Sequence, residues 1–316
     1  MSNDMSLIGL RVFVAVATHG SFSETARRMG LPVSSVSRHV SGLEAALGQT
    51  LLVRNTRAVR LTDHGAQYLS SVREALALLD AAGEEVRVGA LEPRGTLRLN
   101  APVAFGRRHI APHLATFQAR HPALVVELTL TDTFVDPVAD GADLLVLVGV
   151  LEDSNLVSRK LAGQRHVLAA APEYIERRGA PRSPDDLSAH NCLVYRGTHG
   201  ARPWLFRADR NRYARHHVSG DLRSNDADSL IAAAEAGHGL VLFPTWLLHV
   251  PLRDGRLRPL LTDWQALSDL EDGAIHMLFP ENRRRSLKVS AFLDFMSETV
   301  GRQPYWDSFV ESEANG

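Results

Sequence analysis

The stretch Ser21–Val40, SFSETARRMGLPVSSVSRHV, decides how the first part of this chain folds. In its middle lies Gly30-Leu31-Pro32, where glycine allows a positive φ and proline disfavours a helix through the residue before it. The pattern predicts a short helix from Ser23 to Met29 and, after a tight turn, a second helix from Val33 to about Leu47.

The predicted second helix has one apolar side and one polar side. Its apolar residues recur at steps of three and four, which predicts a single buried stripe: Val33, Val36, Val40, Leu43 and Leu47. The other residues are short hydroxyls and long donors, which bind phosphates and base edges: Ser34, Ser35, Ser37, Arg38, His39 and Ser41. This combination is typical of a recognition helix in a DNA major groove. On this stretch alone, a solvated amphipathic helix is an equal alternative.

Length and composition set the broad class of the protein. A chain of 316 residues is long enough for two or three domains. We find no apolar run of about 18 residues, as a membrane helix requires, and no secretory signal in MSNDMSLIGLRVF. The single cysteine, Cys192, excludes an intrachain disulfide. We therefore expect a cytoplasmic protein that does not contact the membrane.

Charge is distributed unevenly along the chain. Residues 1–60 contain seven arginines and three acidic residues, whereas residues 61–93 contain two arginines and six acidic residues. A basic first segment is expected of a domain that contacts a polyanion such as DNA, although surpluses of this size also occur by chance.

The segments beside the two predicted helices complete a small domain. A helix from Leu7 to Thr18 is expected to pack across them. After them, two β-prone pieces, Leu51–Val53 and Ala58–Leu61, flank a plausible turn and predict a wing. Arg54 and Arg57 at its tip could reach a minor groove or flanking phosphates; solvated turn charges are the alternative.

A long helix is predicted next, from a Thr62 cap to about Val88. Apolar residues and one glycine form a heptad seam along it: Leu69, Val72, Leu76, Leu79, Gly83 and Val86. So narrow a stripe needs a partner helix, so we interpret this segment as a linker that dimerises. Pro93 and Gly95 mark the domain boundary that follows.

From Thr96 onward, strands and helices alternate, which predicts an α/β domain. Eight strands are predicted, at 97–100, 125–130, 144–148, 157–161, 167–170, 193–195, 240–243 and 275–279. Four helices are predicted, at 107–119, 172–178, 227–236 and 286–299.

Taken in order, these segments resemble the LysR-type transcriptional regulator family over nearly the whole chain. The resemblance is carried by SFSETARRMG, VSRHVSGLEAALG, LLVRNTRAVRLT, ADLLVLVG and NDADSLIAAAEAGHGLVLFP. It implies an α/β protein with an all-α winged helix-turn-helix head and a two-lobed effector domain like a periplasmic binding protein. It implies promoter DNA, a small-molecule effector and RNA polymerase as partners, no cofactor, and a homodimer through the linker that assembles to a homotetramer.

The expected divisions are residues 1–61 for the head, 62–91 for the linker, 94–300 for the effector domain and 301–316 for a tail. Lobe one is expected to take 94–164 and 268–300, and lobe two 165–267, with the chain crossing near Gly163 and Asp269.

Carried over by position, the resemblance implies DNA contacts from two helices and the wing: Thr25, Arg28, Ser34, Ser35, Ser37, Arg38, His39, Arg54 and Arg57. The sequence departs from the family at three positions. Pro32 replaces a usual serine cap, Val33 a frequent glutamine or proline, and Leu147 a usual arginine. The first turn of the second helix is therefore expected to contribute fit rather than base-specific hydrogen bonds.

Ligands of open α/β sheets bind at strand ends and helix N-termini. This rule predicts eight residues around a cleft between the lobes: Asn100, Pro102, Val103, Asp132, Arg196, Asn225, Asp226 and Phe243. Helix N-termini and Arg196 would favour an anionic metabolite, such as a carboxylate. Each residue is about as well explained as ordinary loop chemistry.

Enzyme chemistry has little support in the sequence. The pairs His109/His113 and His216/His217 have no third spaced metal ligand, no phosphate-binding loop occurs, and Cys192 has no readable catalytic partner. Two classes therefore remain. The first is a ligand-responsive DNA-binding regulator, not an enzyme; the second is a binding protein or enzyme whose helical head contacts proteins.

Overall fold

The computed structural model describes residues 6–54, 59–86, 92–133, 141–151, 154–197, 200–201, 203–208, 212–268 and 273–308. Its first helices are α1 (Leu7–His19), α2 (Phe22–Met29) and α3 (Val33–Leu47). All three contribute to one buried core: Val12, Phe13, Val16, Ala26, Val36, Val40 and Leu43. The predicted helix-turn-helix with a helix packed across it is confirmed.

Residues at the helix ends explain where α2 and α3 begin and end. The Ser21 Oγ accepts a hydrogen bond from the Glu24 amide at 3.2 Å and so caps α2. Gly30 ends α2 with φ 64°, a left-handed conformation that glycine adopts without steric cost. Pro32 precedes α3 without a side-chain cap, as the sequence predicts.

The wing is a two-stranded antiparallel sheet of β1 (Leu52–Arg54) and β2 (Val59–Leu61). Its predicted turn lies in residues 55–58, outside the described residues. Thr62 caps α4 (Asp63–Val86), because its Oγ1 accepts from the Gly65 amide at 2.9 Å and donates to the Thr50 carbonyl at 2.8 Å. A Cβ on Gly65 would lie 2.0 Å from the Leu51 carbonyl oxygen, so the wing and α4 meet backbone to backbone.

The first half of the predicted seam of α4 is buried, whereas the next described side chain of the seam is exposed. Leu69, Val72 and Leu76 are 8%, 4% and 7% exposed, whereas Leu79 and its neighbour Leu78 are 53% and 51% exposed. The first half of the seam is therefore used within the chain's own fold, and the unpartnered apolar side chains lie further along. None of the described helices has the length and apolarity needed to cross a bilayer.

The first sheet of the effector domain has five strands in the order β4-β3-β5-β16-β6. In chain order these are β3 (Gly95–Ala101), β4 (Leu124–Leu130), β5 (Leu144–Gly149), β6 (Leu156–Gly163) and β16 (Ala274–Pro280). Strand β3 runs parallel to β4 and β5, whereas β16 is antiparallel to β5 and β6. On β5, Leu147 lies opposite His276 of β16.

A single helix was expected over 107–119, and the structure corrects this. Helical backbone starts earlier, in α5 (Val103–Phe105), continues as a π-helix (Gly106–Ile110) and a 3-10 turn (Ala111–His113), and ends with α6 (Leu114–Arg120). Pro112 explains the change, because it has no N–H to donate to the preceding turn of an α-helix.

The second sheet has the order β11-β10-β15-β7-β13, with β14 also paired to β7. Its strands are β7 (His166–Ala170), β10 (Trp204–Ala208), β11 (Ala214–His216), β13 (Val241–Pro244), β14 (Arg258–Leu260) and β15 (Trp264–Leu267). A smaller sheet contains β8 (Val194–Gly197), β9 (Gly200–Ala201) and β12 (Arg223–Ser224). The first sheet uses 95–163 and 274–280, and the second uses 166–267, on either side of the expected crossings; Asp269 lies outside the described residues.

Four more helices complete the domain: α7 (Pro172–Arg178), α8 (Ala227–Glu235), α9 (Thr245–Arg253) and α10 (Leu287–Val300). Sequence reasoning missed α9. It contains Pro251 and buries residues on several sides, including Trp246, Leu247 and Leu248, so it lacks the one-sided pattern that predicts a helix.

The two lobes share one hydrophobic core, which aromatic rings from three segments close. Phe105 of lobe one lies 5.5 Å from Trp246 of lobe two and 6.1 Å from Trp306, measured between ring centroids. Trp306 is completely buried in a 3-10 turn, Tyr305–Asp307. Residues 301–308, expected as a tail outside the effector domain, therefore belong to its core.

His109 connects these same three segments by hydrogen bonds. Its Nε2 donates to the Trp246 carbonyl at 2.8 Å, which leaves Nδ1 to accept from the Tyr305 hydroxyl at 2.6 Å. Burial lowers the pKa of His109 to about 3 and raises the pKa of Tyr305 to about 12. Both groups are neutral at physiological pH, as this pair of hydrogen bonds requires.

We predict that acid destabilises the effector domain through His109. Its pKa is lower in the folded protein than the ordinary 6.5, so the unfolded chain binds more protons between those values. The stabilisation is therefore complete above pH 6.5 and is lost as the pH falls towards 3. His166, whose pKa burial lowers to about 4, acts in the same direction.

Chemical denaturation between pH 4 and 8 measures the free energy of unfolding. Its pH dependence should be shallower in His109→Gln, whereas exposed His64→Gln should match the wild type. An unchanged slope in His109→Gln would contradict this assignment.

We also predict that Cys192 is unreactive in the folded protein. It is completely buried, and burial raises the pKa of its thiol to about 12, so almost no thiolate forms at pH 8. A thiol-specific dye should label the chain only after unfolding, whereas Ser23→Cys on the exposed side of α2 should label at once. Comparable labelling of the native wild type would show that the thiol is accessible.

Candidate functional site

The outward side of α3 carries the polar residues that the sequence predicts for DNA contact. Ser34 and Arg38, one helical turn apart, are exposed. Beside them Ser35, Ser37 and His39 are half-buried. The opposite side is fixed in the core, since Val36 and Val40 are fully buried and Leu43 is 4% exposed. The structure therefore presents these five predicted residues on one helix whose position is set by packing.

The first turn of α3 differs from the predicted stripe. Val33 is 47% exposed, so the buried stripe begins at Val36 instead. Pro32 beside it is exposed as well. An exposed valine in this place has no hydrogen-bonding group, but it can contact the methyl group of a thymine in a major groove.

The two residues predicted on α2 have different environments. Thr25 is fully buried, and its hydroxyl donates to the Ser21 carbonyl at 2.8 Å. Its predicted DNA contact is therefore corrected: this side chain stabilises the start of α2 and has no free surface. The Arg28 side chain is 58% exposed and its Nε lies 2.7 Å from Glu24. Exposed ion pairs contribute little stability, so Arg28 can exchange Glu24 for a phosphate at small cost.

The wing is attached to α3 by a residue that sequence reasoning missed. The Glu44 carboxylate accepts from the amides of Leu51 and Leu52 at 2.8 and 3.1 Å, where the wing begins. Glu44 could have been noticed as an acidic residue in an otherwise basic segment. Arg54 is the last residue of β1. Arg57 lies outside the described residues.

The lobe-one side of the predicted cleft lies where β3 and β4 end. Asn100 is 3% exposed on β3, and Pro102 and Val103 follow as the helical segment begins. The Val103 amide donates to the Asp132 carboxylate at 3.0 Å. The helix N-terminus predicted to bind an anion therefore already holds a carboxylate of the chain itself.

The lobe-two side repeats this arrangement. Asp226 and Asn225 are exposed, and the Asp226 carboxylate caps α8 by accepting from the Ser229 amide at 3.0 Å. The Ser229 hydroxyl first, and then backbone amides, hold the pKa of Asp226 below its usual range. Phe243 is 5% exposed and packs edge to face with Tyr195, with ring centroids 6.0 Å apart.

Tyr195 lies near charged groups of both sides. Its pKa is raised, first by burial and then by the negative charges of Asp132 from lobe one and Asp226 from lobe two. Sequence reasoning placed Tyr195-Arg196 together at a strand end and selected Arg196 for the site. Successive strand residues point to opposite faces, so Arg196 lies on the other side of β8 from Tyr195. Strict alternation along the strand was the signal that could have selected Tyr195.

One edge of the cleft is closed by an ion pair between the lobes, which sequence reasoning also missed. The Arg108 guanidinium of lobe one donates to both oxygens of Asp228 on α8. Arg107 extends the positive charge, with its Nη1 3.8 Å from the same carboxylate. Bidentate pairs of this kind fix orientation as well as distance. In the sequence, the signal for this ion pair was the basic dipeptide Arg107-Arg108 together with the acidic start of α8.

One histidine of each pair considered as metal ligands already has a partner within the chain. Both ring nitrogens of His109 are occupied by hydrogen bonds, and His216 Nδ1 lies 3.5 Å from Asp185. Across the described ranges, no three His, Cys, Asp or Glu side chains are arranged to hold a metal ion.

Two family models match the chain along most of its length. The model described as a bacterial regulatory helix-turn-helix protein of the lysR family matches residues 7–66. The model described as a LysR substrate binding domain matches residues 90–301. The first covers the head and the start of α4, and the second covers both lobes.

Known proteins support the same assignment. The HTH-type transcriptional regulator PtxR of Pseudomonas aeruginosa is 34% identical over 304 residues, 96% of each chain. The solved structure of CrgA, a LysR-type transcriptional regulator from Neisseria meningitidis, matches with a TM-score of 0.59 and 28% identity over 94% of this chain and 99% of that one. A full-length OxyR variant from Pseudomonas aeruginosa shares the fold, with a TM-score of 0.69 at 15% identity over 95% of this chain and 96% of that one. The chain therefore belongs to the LysR family of DNA-binding transcriptional regulators.

Proposed function

We propose that this regulator binds double-stranded promoter DNA through α3 and the wing, and that a small metabolite between its lobes modulates that binding. The support for the effector site is Tyr195, a half-exposed phenol that packs edge to face on Phe243 and whose pKa is raised in part by the charges of Asp132 from lobe one and Asp226 from lobe two. A ligand against this ring would lie near polar groups of both lobes. We place this activity in the cytoplasm.

For DNA, the support is the polar face of α3. Arg38 is the exposed long donor in the middle of this face, and Ser34 lies one turn before it. We propose that Arg38 contacts a base edge and that Ser34, Ser35, Ser37 and His39 contact phosphates or bases. Val33 adds an apolar contact, and Arg28 a phosphate contact beside it. We retain Arg54 and Arg57 as proposed contacts from the wing.

For assembly, the support is the second half of α4. Leu78 and Leu79 are both more than half exposed, which leaves apolar surface on a helix that continues to Val86. A second copy of α4 would cover these side chains, because paired seams bury such residues. We propose a homodimer through α4, assembled to a homotetramer, that contacts RNA polymerase at the promoter.

For the effector, the chemistry of the cleft bears on its charge. The sequence predicts an anion, but Asp132 and Asp226 already occupy both helix N-termini, and Arg196 lies on the other face of β8. Arg107 and Arg108 are engaged with Asp228. We therefore propose a small polar metabolite that packs on Tyr195 and Phe243 and donates hydrogen bonds, in preference to a simple carboxylate.

Replacing Arg38 should separate specific from non-specific DNA binding. Arg38→Ala is expected to weaken binding to the promoter by about 1–3 kcal/mol, because a bidentate base contact contributes that much, and binding to scrambled duplex by less. Fluorescence anisotropy with DNA from upstream of the coding region, at several salt concentrations, measures both. Arg120→Ala, on an exposed arginine of lobe one, is the matched control. Equal loss on both duplexes would show a phosphate contact only, and no salt-sensitive binding by the wild type would overturn the proposal.

The effector site can be tested with a panel of carboxylates and amines screened by thermal shift. Tyr195→Ala is expected to weaken binding of a stabilising compound about tenfold or more, equivalent to about 1.4 kcal/mol, because it removes the aromatic surface that joins the lobes. Arg196→Ala should leave the affinity unchanged. An anion whose affinity falls in Arg196→Ala and is unchanged in Tyr195→Ala would instead support an anionic site on the other face of β8.

A further inference from the structure

Lobe two contains a second concave site, away from the inter-lobe cleft. It is a cavity of about 520 Å³, lined chiefly by polar side chains that include Tyr174, Arg177, Arg178, His190, Asp221 and His238. None of the eight residues predicted for the cleft lines it. Its volume lies within the range of about 300–1,000 Å³ that is typical of small-molecule sites. We call it the lobe-two pocket.

The floor of the lobe-two pocket is shaped by close backbone contacts. Gly220 lies so near the chain below it that a Cβ would come within 2.1 Å of the Cys192 carbonyl oxygen. The Asn191 side chain ties this turn down, since its Nδ2 donates to the His238 carbonyl at 2.9 Å and its Oδ1 accepts from the Asp221 amide at 3.1 Å. The floor of the pocket is therefore set by backbone packing.

The one carboxylate in the wall is already compensated. Asp221 accepts from Asn191 Nδ2 at 2.8 Å and lies 2.9 Å from His238 Nε2. The Asn191 hydrogen bond first, and then the charge and hydrogen bond of His238, lower the pKa of Asp221. Its negative charge is thus directed at neighbouring donors of the wall.

Two adjacent arginines supply positive charge at the end of α7. Arg177 donates to the Gly237 carbonyl at 2.6 Å and lies 3.6 Å from Glu173, which is outside the pocket lining. Arg178 has a weaker attachment, one hydrogen bond of 3.4 Å to the Ala189 carbonyl, and no ion pair within the described part of the chain. Most of the donor capacity of the Arg178 guanidinium is therefore open to a ligand.

His190 is oriented as a further donor. The buried Tyr174 hydroxyl accepts from the Asn191 amide at 3.1 Å, so its own proton is directed to His190 Nδ1, also at 3.1 Å. A neutral His190 then carries its proton on Nε2. Burial and the charge of Arg178 lower the pKa of His190, so the wall combines two permanent positive charges with a neutral imidazole donor.

We propose that the lobe-two pocket is a second binding site, for a small polyanion such as a polycarboxylate or a phosphate ester. Adjacent guanidinium groups with an imidazole N–H form the donor set that binds multiple anionic oxygens. Because Asp221 is compensated within the wall and Arg177 is paired with Glu173, Arg178 is the uncompensated charge of the pocket. This site is distinct from the proposed effector cleft and does not depend on it.

Calorimetric titration of the full-length protein with citrate tests the proposal. Wild type is expected to bind, and Arg178→Ala is expected to weaken the affinity about tenfold or more, the usual effect of losing a charge-assisted contact. Arg178→Glu should abolish binding. Both variants should fold, since Arg178 makes a single long hydrogen bond, and matching thermal unfolding curves would verify this. Arg258→Ala, on an exposed arginine of β14 in the same lobe, should bind citrate like the wild type.

Three results would overturn the proposal: no citrate binding by the wild type at millimolar concentration, equal affinity in Arg178→Ala, or equal loss in Arg258→Ala. Tyr195→Ala separates this site from the effector cleft. Normal citrate binding in Tyr195→Ala supports an independent pocket, whatever becomes of the proposed effector site. Loss of citrate binding in Tyr195→Ala would place the anion in the cleft and overturn the second site.

Discussion

The relative position of the two lobes depends on the hydrogen bonds of one buried imidazole. His109 joins the Trp246 carbonyl of lobe two to the Tyr305 hydroxyl of the C-terminal segment, and it is itself on the π-helix of lobe one. An unpaired polar group at this depth would cost about 1–3 kcal/mol, so the three segments hold one another in place. The cleft around Tyr195 lies between parts that this junction keeps at fixed spacing, while the half-buried Arg108–Asp228 pair closes one edge.

In the head, too, residues away from the proposed DNA-binding surface fix the position of that surface. Buried Val36 and Val40 set the rotation of α3, and the Glu44 carboxylate sets the position of the wing against it. Neither group contacts DNA in our proposal, yet both decide which surface meets it. The polar face of α3 is free to vary for sequence preference because stability comes from the other side of the helix. Residue type alone does not decide the side: polar Thr25 is buried and stabilises the fold, whereas apolar Val33 is exposed.

Periodicity predicted the head well, because the apolar residues of a helix buried on one side recur every three or four positions in the sequence. It also predicted all five strands of the first sheet, but in lobe two it predicted β7, β8 and β13 and missed the other six described strands. It failed where burial is not one-sided: α9 with its internal Pro251, and the C-terminal turn around Trp306, are buried in three-dimensional contacts that leave no local pattern. In the cleft, the rule of strand ends selected Asp132 and Asp226, whose charges both act on Tyr195, and Phe243, which packs on that ring. It could not choose between Tyr195 and Arg196, because that choice depends on the face of a short strand rather than on its end.

Helix α4 contacts both the head and lobe one. Arg73 of α4 donates to the Thr18 hydroxyl of the head at 2.9 Å, and its side chain borders Gly141 of lobe one. Two residues beyond Gly141, the fully buried Asp143 carboxylate lies 3.0 Å from Arg283 and 2.7 Å from Lys288. Removing one partner of a buried ion pair is costly, so this corner of lobe one resists deformation. The turn that contains Arg283 also contacts α4. The ion-paired corner of lobe one is therefore joined to α4 through this turn, and α4 is joined to the head through the Arg73–Thr18 hydrogen bond.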